Sequence, residues 1–115
     1  MLQVREQYHH QTKVLTLAGQ FCRSTTTGLQ ARILGAQEMD CQHIILDFSG
    51  VTEIDSTGLG ELFLWYHNMK PYNVHVSIVN PSTPIWNQLD LGHISEIVPV
   101  YATEEEAVRN EGPYS

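Results

Sequence analysis

The chain reads as an α/β protein, with a mixed β-sheet of about five strands and about four helices packed against it. An opening hairpin, and strand-like stretches that alternate with helical ones beyond it, carry that reading. The centre of the chain adds to it: the apolar run Ile44-Ile45-Leu46 suits a strand covered on both faces, and a helical stripe follows it.

Leu2 to Tyr8 and Lys13 to Gly19 are the hairpin strands, because Leu2 and Val4, then Leu15 and Leu17, alternate with polar residues or continue in a β-tolerant run. His9-His10-Gln11-Thr12 is the turn between them. Adjacent histidines in extended chain point to opposite faces and no third ligand stands nearby, so they read as solvated turn residues. Ser24-Thr25-Thr26-Thr27 supplies caps for a first helix, with Thr27 and Gln30 at capping-box spacing. That helix is expected to run to about Met39 with Leu29, Ile33 and Ala36 inward. Cys41 and His43 are two candidate ligands at one spacing, far short of a metal site.

The stretch from His43 to Glu61 organises the rest. It is interrupted at Ser49-Gly50 and again at Asp55-Ser56-Thr57-Gly58, after which Leu59, Leu62, Phe63 and Tyr66 recur as the inward stripe of a helix. Ser56 therefore sits at a helix start, where Ser56 or Thr57 is the candidate N-cap. The first N–H groups of a helix lack internal partners and carry partial positive charge, so the same position also accepts an anion such as phosphate. With that stripe inward, Gly60, Glu61, Leu64, Trp65 and Asn68 turn outward. Leu64 and Trp65 then either pack under a neighbouring loop or, the reading preferred, form the centre of a candidate binding surface, Trp being a preferred anchor. Gly58 and Gly60 either let a partner backbone come close or reflect tight packing within the domain.

Met69-Lys70-Pro71-Tyr72-Asn73 stops this helix, since Pro71 disfavours helix in the residue before it. Val74, Val76 and Ile78 alternate as a strand. Asn80 to Pro84 turns into another helix, with Thr83 as cap and Pro84 at the first helical position. Ile85 and Leu89 share its inner face, and Gly92 can end it in a left-handed conformation. Ile97 to Val100 is the final strand, and Thr103-Glu104-Glu105-Glu106 opens the last helix with capping-box spacing. Residues 1–111 read as one domain and Gly112-Pro113-Tyr114-Ser115 as a frayed tail.

At 115 residues the chain is large enough for a modest core without staples. The 42% hydrophobic content is ordinary, and no apolar run approaches the roughly 20 residues needed to cross a bilayer. The start, Met1 to Glu6, lacks the apolar segment of a secretory signal, which points to a cytoplasmic protein in which Cys22 and Cys41 stay reduced. A net charge of −7 with six scattered Lys and Arg leaves no basic patch for nucleic acid. Enzyme chemistry and a nucleotide cofactor find little support: Gly58-Leu59-Gly60 lacks a P-loop Lys, and neither Ser56 nor His67 belongs to a known nucleophile motif. No cofactor and no metal are expected.

Asp55-Ser56-Thr57-Gly58-Leu59-Gly60, preceded by Ile44-Ile45-Leu46-Asp47-Phe48 and by Val51-Thr52-Glu53-Ile54, resembles the signature of the STAS domain family of sulfate transporters and anti-sigma-factor antagonists. The likeness extends from the N-terminal strands through Ile97-Val98-Pro99-Val100. It implies a STAS fold and a stand-alone bacterial anti-sigma-factor antagonist, with Ser56 as the hydroxyl that a partner kinase phosphorylates. Thr57 replaces the second Ser often seen there. The implied partner is an anti-sigma factor with serine-kinase activity, held while Ser56 is unphosphorylated so that a sigma factor is freed. A metal-dependent serine phosphatase would reset Ser56. The surface expected to bind is Asp55, Ser56, Thr57, Gly58, Gly60, Glu61, Leu64 and Trp65. One departure stands out: the family commonly carries an acidic residue in the turn after the second strand, where this chain has Gly19-Gln20-Phe21-Cys22-Arg23. The alternative implied is an interaction subunit of a lipid-transport ABC system, a stress-signalling assembly or a biofilm regulator, without a phosphorylation switch.

Overall fold

A computed structural model describes residues 1–35 and 41–109 of the chain. Five strands form one sheet in the order β1 (Leu2–His9), β2 (Thr12–Phe21), β3 (His43–Ile54), β4 (His75–Val79), β5 (Val100–Tyr101). The first pair is antiparallel and the later pairs are parallel, so the sheet is mixed. Among the described residues the helices are α1 (Arg23–Leu34), α2 (Ser56–Met69), α3 (Thr83–Leu91) and α4 (Glu104–Arg109). Each parallel neighbour is reached through a helix, as parallel pairing requires.

The hairpin closes between His9 and Thr12, which pair directly. His10 takes φ 57°, and the His9 and His10 rings stack with centroids 6.0 Å apart and planes 12° from parallel. The left-handed residue cancels the strand alternation that was expected to separate these imidazoles. The first helix also begins earlier than its threonines suggest. Cys22 is the capping residue, and its backbone N–H donates to Thr25 Oγ1 at 3.0 Å. Leu29 and Ile33 are buried as expected, whereas Ala36 and the predicted end near Met39 lie outside the described residues, as do residues 112–115.

The central strand is longer than its polar interruptions predict. Thr16 pairs with Asp47 and Ala18 with Gly50, then Gly19 with Val51 and Gln20 with Glu53, so two irregularities in register absorb the interruptions and β3 continues to Ile54. Ser49 N–H donates to Asp47 Oδ1 at 2.9 Å at the first of them. A side chain at Gly50 would meet the Ala18 Cβ at 2.8 Å and the Leu17 carbonyl oxygen at 2.9 Å, which is why the bulge carries glycine.

Three smaller shifts follow from local chemistry. Ser82, not Thr83, precedes α3, and Pro84 stands second in it. Gly92 ends α3 at φ −83° and His93 takes the left-handed position at φ 61°. A short 3-10 turn, Ile94–Glu96, comes just before the expected last strand, whose first residues, Ile97 and Val98, form a turn and a bend, and β5 begins only at Val100–Tyr101. At α4 the capping expectation holds in outline: Glu106 N–H donates to Thr103 Oγ1 at 3.2 Å, and Glu106 Oε1 accepts from Ala102 N at 3.4 Å.

The core divides by sheet face. Leu15, Leu17, Ile44, Leu46, Phe48, Val76 and Ile78 pack under α1, α2 and α3 in one continuous cluster. The opposite face carries a smaller cluster of Val14, Ile45, Val79 and Ala107, covered by the six-residue α4. On that side buried His43 is hydrogen-bonded through Nε2 to Ser77 Oγ. Strand β4 is thus buried on both faces from Val76 to Val79 rather than alternating. No described helix is long and apolar enough to cross a membrane.

Candidate functional site

Parallel pairing of β2 and β3 brings Phe21 opposite Ile54, so the two strands end together and α1 and α2 start side by side. Asp55 joins those starts. It is the N-cap of α2, and Oδ1 accepts from Gly58 N at 2.8 Å while Oδ2 accepts from Arg23 N at 3.3 Å. Its own N–H donates to the Phe21 carbonyl at 3.4 Å. These N–H donors, Gly58 first, hold its carboxyl below the usual carboxylate range, against a modest opposing effect of burial. The cap is therefore Asp55 rather than Ser56 or Thr57. Ser56 is the first residue of α2 and is exposed, and Thr57 is half-buried behind it.

The helix rotates relative to the sequence expectation. Gly58, Leu62, Trp65 and Met69 are its buried residues, at intervals of four, three and four. Trp65 is 1% exposed and is not part of an outward surface. It completes an aromatic cluster, edge-on to Phe21 at 5.7 Å, with Phe21 in turn 5.2 Å from Phe48. Those partners come from β2 and β3, which explains why Trp65 turns inward. Gly58 is likewise a packing residue, because a Cβ there would lie 2.5 Å from the Phe21 carbonyl oxygen. Phe63, expected in the core, is instead 36% exposed, with its ring 4.4 Å from that of His67.

The outward side of α2 consequently reads Ser56, Gly60, Phe63, Leu64 and His67, a strip starting at the hydroxyl and becoming apolar about two turns later. Leu64 is 49% exposed, and nothing lies within 4 Å of a Cβ built at Gly60. Glu61 is half-buried at its flank. Beyond Asp55 stands the loop that ends β2. Gln20 Nε2 donates to Glu53 Oε2 at 3.4 Å, and the half-buried Cys22 thiol lies 3.3 Å from Ser24 Oγ. Hydrogen bonds from Ser24 and then Thr25 hold that thiol below its ordinary value.

The family model for the STAS domain matches residues 2–107. The chain belongs to the STAS domain family. A curated relative, the anti-sigma F factor antagonist of Paenibacillus polymyxa, is 29% identical over 110 residues, covering 93% of this chain and 92% of that protein. An anti-sigma factor antagonist from Mycobacterium paratuberculosis superposes with a TM-score of 0.84 at 18% identity, over 95% of this chain and 92% of that one. The anti-sigma factor antagonist SpoIIAA in its unphosphorylated form gives a TM-score of 0.71 at 23% identity, covering 97% and 99%. Its phosphorylated form, from Bacillus, gives 0.70 at 22%, covering 96% and 98%. At these identities the structures share the fold.

In this STAS domain Asp55, Ser56 and Thr57 stand at the head of α2 and Gly60, Glu61 and Leu64 follow along its exposed or half-buried side, while Gly58 and Trp65 are taken by the core. Sequence reasoning missed Phe63 as a surface residue and missed that Gln20, Cys22 and Arg23 border the helix start. The signal for Phe63 was the second apolar stripe, Leu62, Trp65 and Met69, which competes for the same core. Nothing local links Arg23 to Asp55, which stand 32 residues apart. Only the β2–β3 register joins them.

Proposed function

We propose that this STAS domain is an anti-sigma-factor antagonist whose docking surface is the head and outer strip of α2, switched by phosphorylation of Ser56. The observation that carries the proposal is the exposed Ser56 at the first helical position, beside an Asp55 carboxylate locked by backbone N–H groups and about two turns from exposed Phe63 and Leu64. The apolar strip supplies contact area, and the bare hydroxyl leaves the helix head uncrowded. Asp55, Thr57, Gly60 and Glu61 complete the surface. The partner is an anti-sigma factor with serine-kinase activity, and its capture frees a sigma factor.

Phosphorylation adds about −1.5 to −2 charge at Ser56, next to Asp55 and near Glu53. Because the Asp55 carboxylate is already held at the α2 head by the Gly58 N–H, the phosphate adds its charge beside an existing negative one. A like charge about 6 Å away costs roughly 1–3 kcal/mol at intermediate effective dielectric, and each 1.4 kcal/mol is about tenfold in affinity. One modification therefore suffices to release the complex, and a metal-dependent serine phosphatase restores it. The test is the affinity of the captured anti-sigma factor for the unmodified chain, Ser56→Ala and Ser56→Asp. Ser56→Ala should bind tightly and Ser56→Asp at least about tenfold more weakly. Equal binding by both variants refutes the switch.

Arg23, placed by its backbone bond to Asp55 beside the switch, favours a second reading. A cation where relatives commonly carry an acidic residue suits a different partner surface, as in an interaction subunit of another complex. Capture of an ATPase or transport subunit as the tight partner, with Ser56 unmodified, would select it.

A further inference from the structure

The far face of the sheet holds a feature that the proposed switch does not use. Where the short α4 stops covering the sheet, a cleft of about 380 Å³ opens between α4 and the β1–β2 turn. Its floor is Val14 and Ile45, both buried in the smaller core cluster, and Val108 forms one apolar wall. The turn supplies His9 and His10 with their rings stacked 12° from parallel, and Gln11 and Gln42 add amides. Glu104 closes the rim. Its carboxyl is raised above the ordinary glutamate value, first by burial and then by the Asp47 carboxylate, to which it is hydrogen-bonded, with His9 opposing. No Lys or Arg lines the cleft.

The geometry points to a binding cleft for a small aromatic or heterocyclic amine. The volume falls in the range of small-ligand sites, about 300–1,000 Å³. An apolar floor and near-parallel imidazole rings favour a flat body, and Glu104 at the rim, with no Lys or Arg beside it, favours a positively charged head. An anion finds no cationic partner in the lining. A bare metal ion is a poorer fit, because among the described residues no three His, Cys, Asp or Glu side chains are grouped as ligands. The cleft lies near the beginning of β3 and Ser56 beyond its end, so occupancy of one does not physically require the other.

The test is a titration of the full ¹⁵N-labelled chain with phenethylamine at about pH 8, where an ordinary histidine is neutral. Phenylpropionate and 2-phenylethanol are the matched acid and neutral controls. A probe of about nine heavy atoms should bind with a Kd of about 10 mM or tighter. The amine is expected to shift the amides of Gln11, Thr12, Gln42 and Val108 saturably and to leave those of Ser56 and Gly60 in place. Phenylpropionate should shift none of them, 2-phenylethanol should bind more weakly than the amine, and Glu104→Gln should weaken the amine roughly fivefold or more. Val108→Trp, at an exposed position, should fill the mouth and abolish the shifts while the rest of the spectrum stays native. Absence of saturable shifts at these residues overturns the assignment. Equal binding of amine and acid, or an affinity indifferent to Glu104→Gln, overturns it as well.

Discussion

Gly58 and Gly60 stand two residues apart on α2, and the structure assigns opposite signs to the same substitution at each. At Gly60 a Cβ meets nothing within 4 Å, so Gly60→Ala gains helix propensity and should stabilise by about 0.5–1 kcal/mol. At Gly58 the added Cβ would sit 2.5 Å from the Phe21 carbonyl oxygen, 2.8 Å from Phe21 Cδ1 and 3.2 Å from Ile54 Cγ1. Phe21 is fully buried against Phe48 and Trp65, and its carbonyl accepts from Asp55 N, so neither ring nor backbone can retreat cheaply. Overpacking of this kind costs about 1–3 kcal/mol, which exceeds the propensity gain and leaves a net loss of roughly 1–2 kcal/mol. The two variants should therefore differ by about 2 kcal/mol, or roughly 6–10 °C in melting midpoint for a domain of this size. Circular dichroism melts and urea curves on the two single variants measure this directly. Midpoints that move in the same direction would refute the packing assignment, and an unchanged Gly58→Ala midpoint with weakened partner binding would return Gly58 to the docking surface.

The remaining predictions separate core from surface and fix two signs with pH. Trp65→Ala should cost about 3–5 kcal/mol in urea unfolding, because it empties an aromatic cluster; Leu64→Ala should change stability by under about 0.5 kcal/mol and be read instead as weakened capture of the anti-sigma factor. Asp55 has a lowered folded-state pKa, so its contribution is present above the unfolded carboxylate value and is lost as pH falls through the folded one. Asp55→Asn should accordingly lower the urea midpoint at pH 7, with the gap to the parent closing as pH falls below the ordinary carboxylate range. Glu104 has the opposite sign: its raised pKa means that ionisation costs stability above the folded value. Glu104→Gln should raise the midpoint slightly at pH 7, and the difference should vanish below about pH 4.

Much of the architecture was legible in residue order because hairpin, helix and strand periods differ enough to survive single-residue ambiguity. The hairpin, the stop at Pro71, the buried face of α3 and the acidic opening of α4 all rest on local chemistry, and all appear where that chemistry puts them. Boundaries moved where a distant partner decided them. The Ser49-Gly50 interruption reads as a strand end until Ala18 is known to lie against Gly50 and the bulge lets β3 run on. The rotation of α2 is the same problem in helical form. Leu59, Leu62, Phe63 and Tyr66 make one acceptable stripe and Leu62, Trp65 and Met69 another, and only Phe21, supplied by β2, selects between them. A helix apolar on most of its circumference does not state its own orientation.

The same consideration explains why the site was partly visible. The Asp-Ser-Thr-Gly signature located the helix head to within one or two residues, the cap being Asp55 and not Ser56 or Thr57, yet its chemistry depends on a second helix head that sequence does not announce. Asp55 bonds the N–H groups of Gly58 and of Arg23, so one carboxylate answers donors of both α1 and α2. That arrangement leaves Ser56 exposed and Asp55 charged at neutral pH, which makes the neighbourhood of the hydroxyl negative before any modification. A phosphate added there deepens an existing negative field that a docked partner must already tolerate. The switch proposed for Ser56 would then need no conformational change: with Trp65 and Gly58 anchoring α2 to the aromatic cluster, the helix is held in place, and charge at its exposed head would be the variable. If spectra of the phosphorylated chain showed the amides around Phe21, Gly58 and Trp65 displaced as strongly as those at Ser56, the electrostatic account would give way to one in which the helix itself moves.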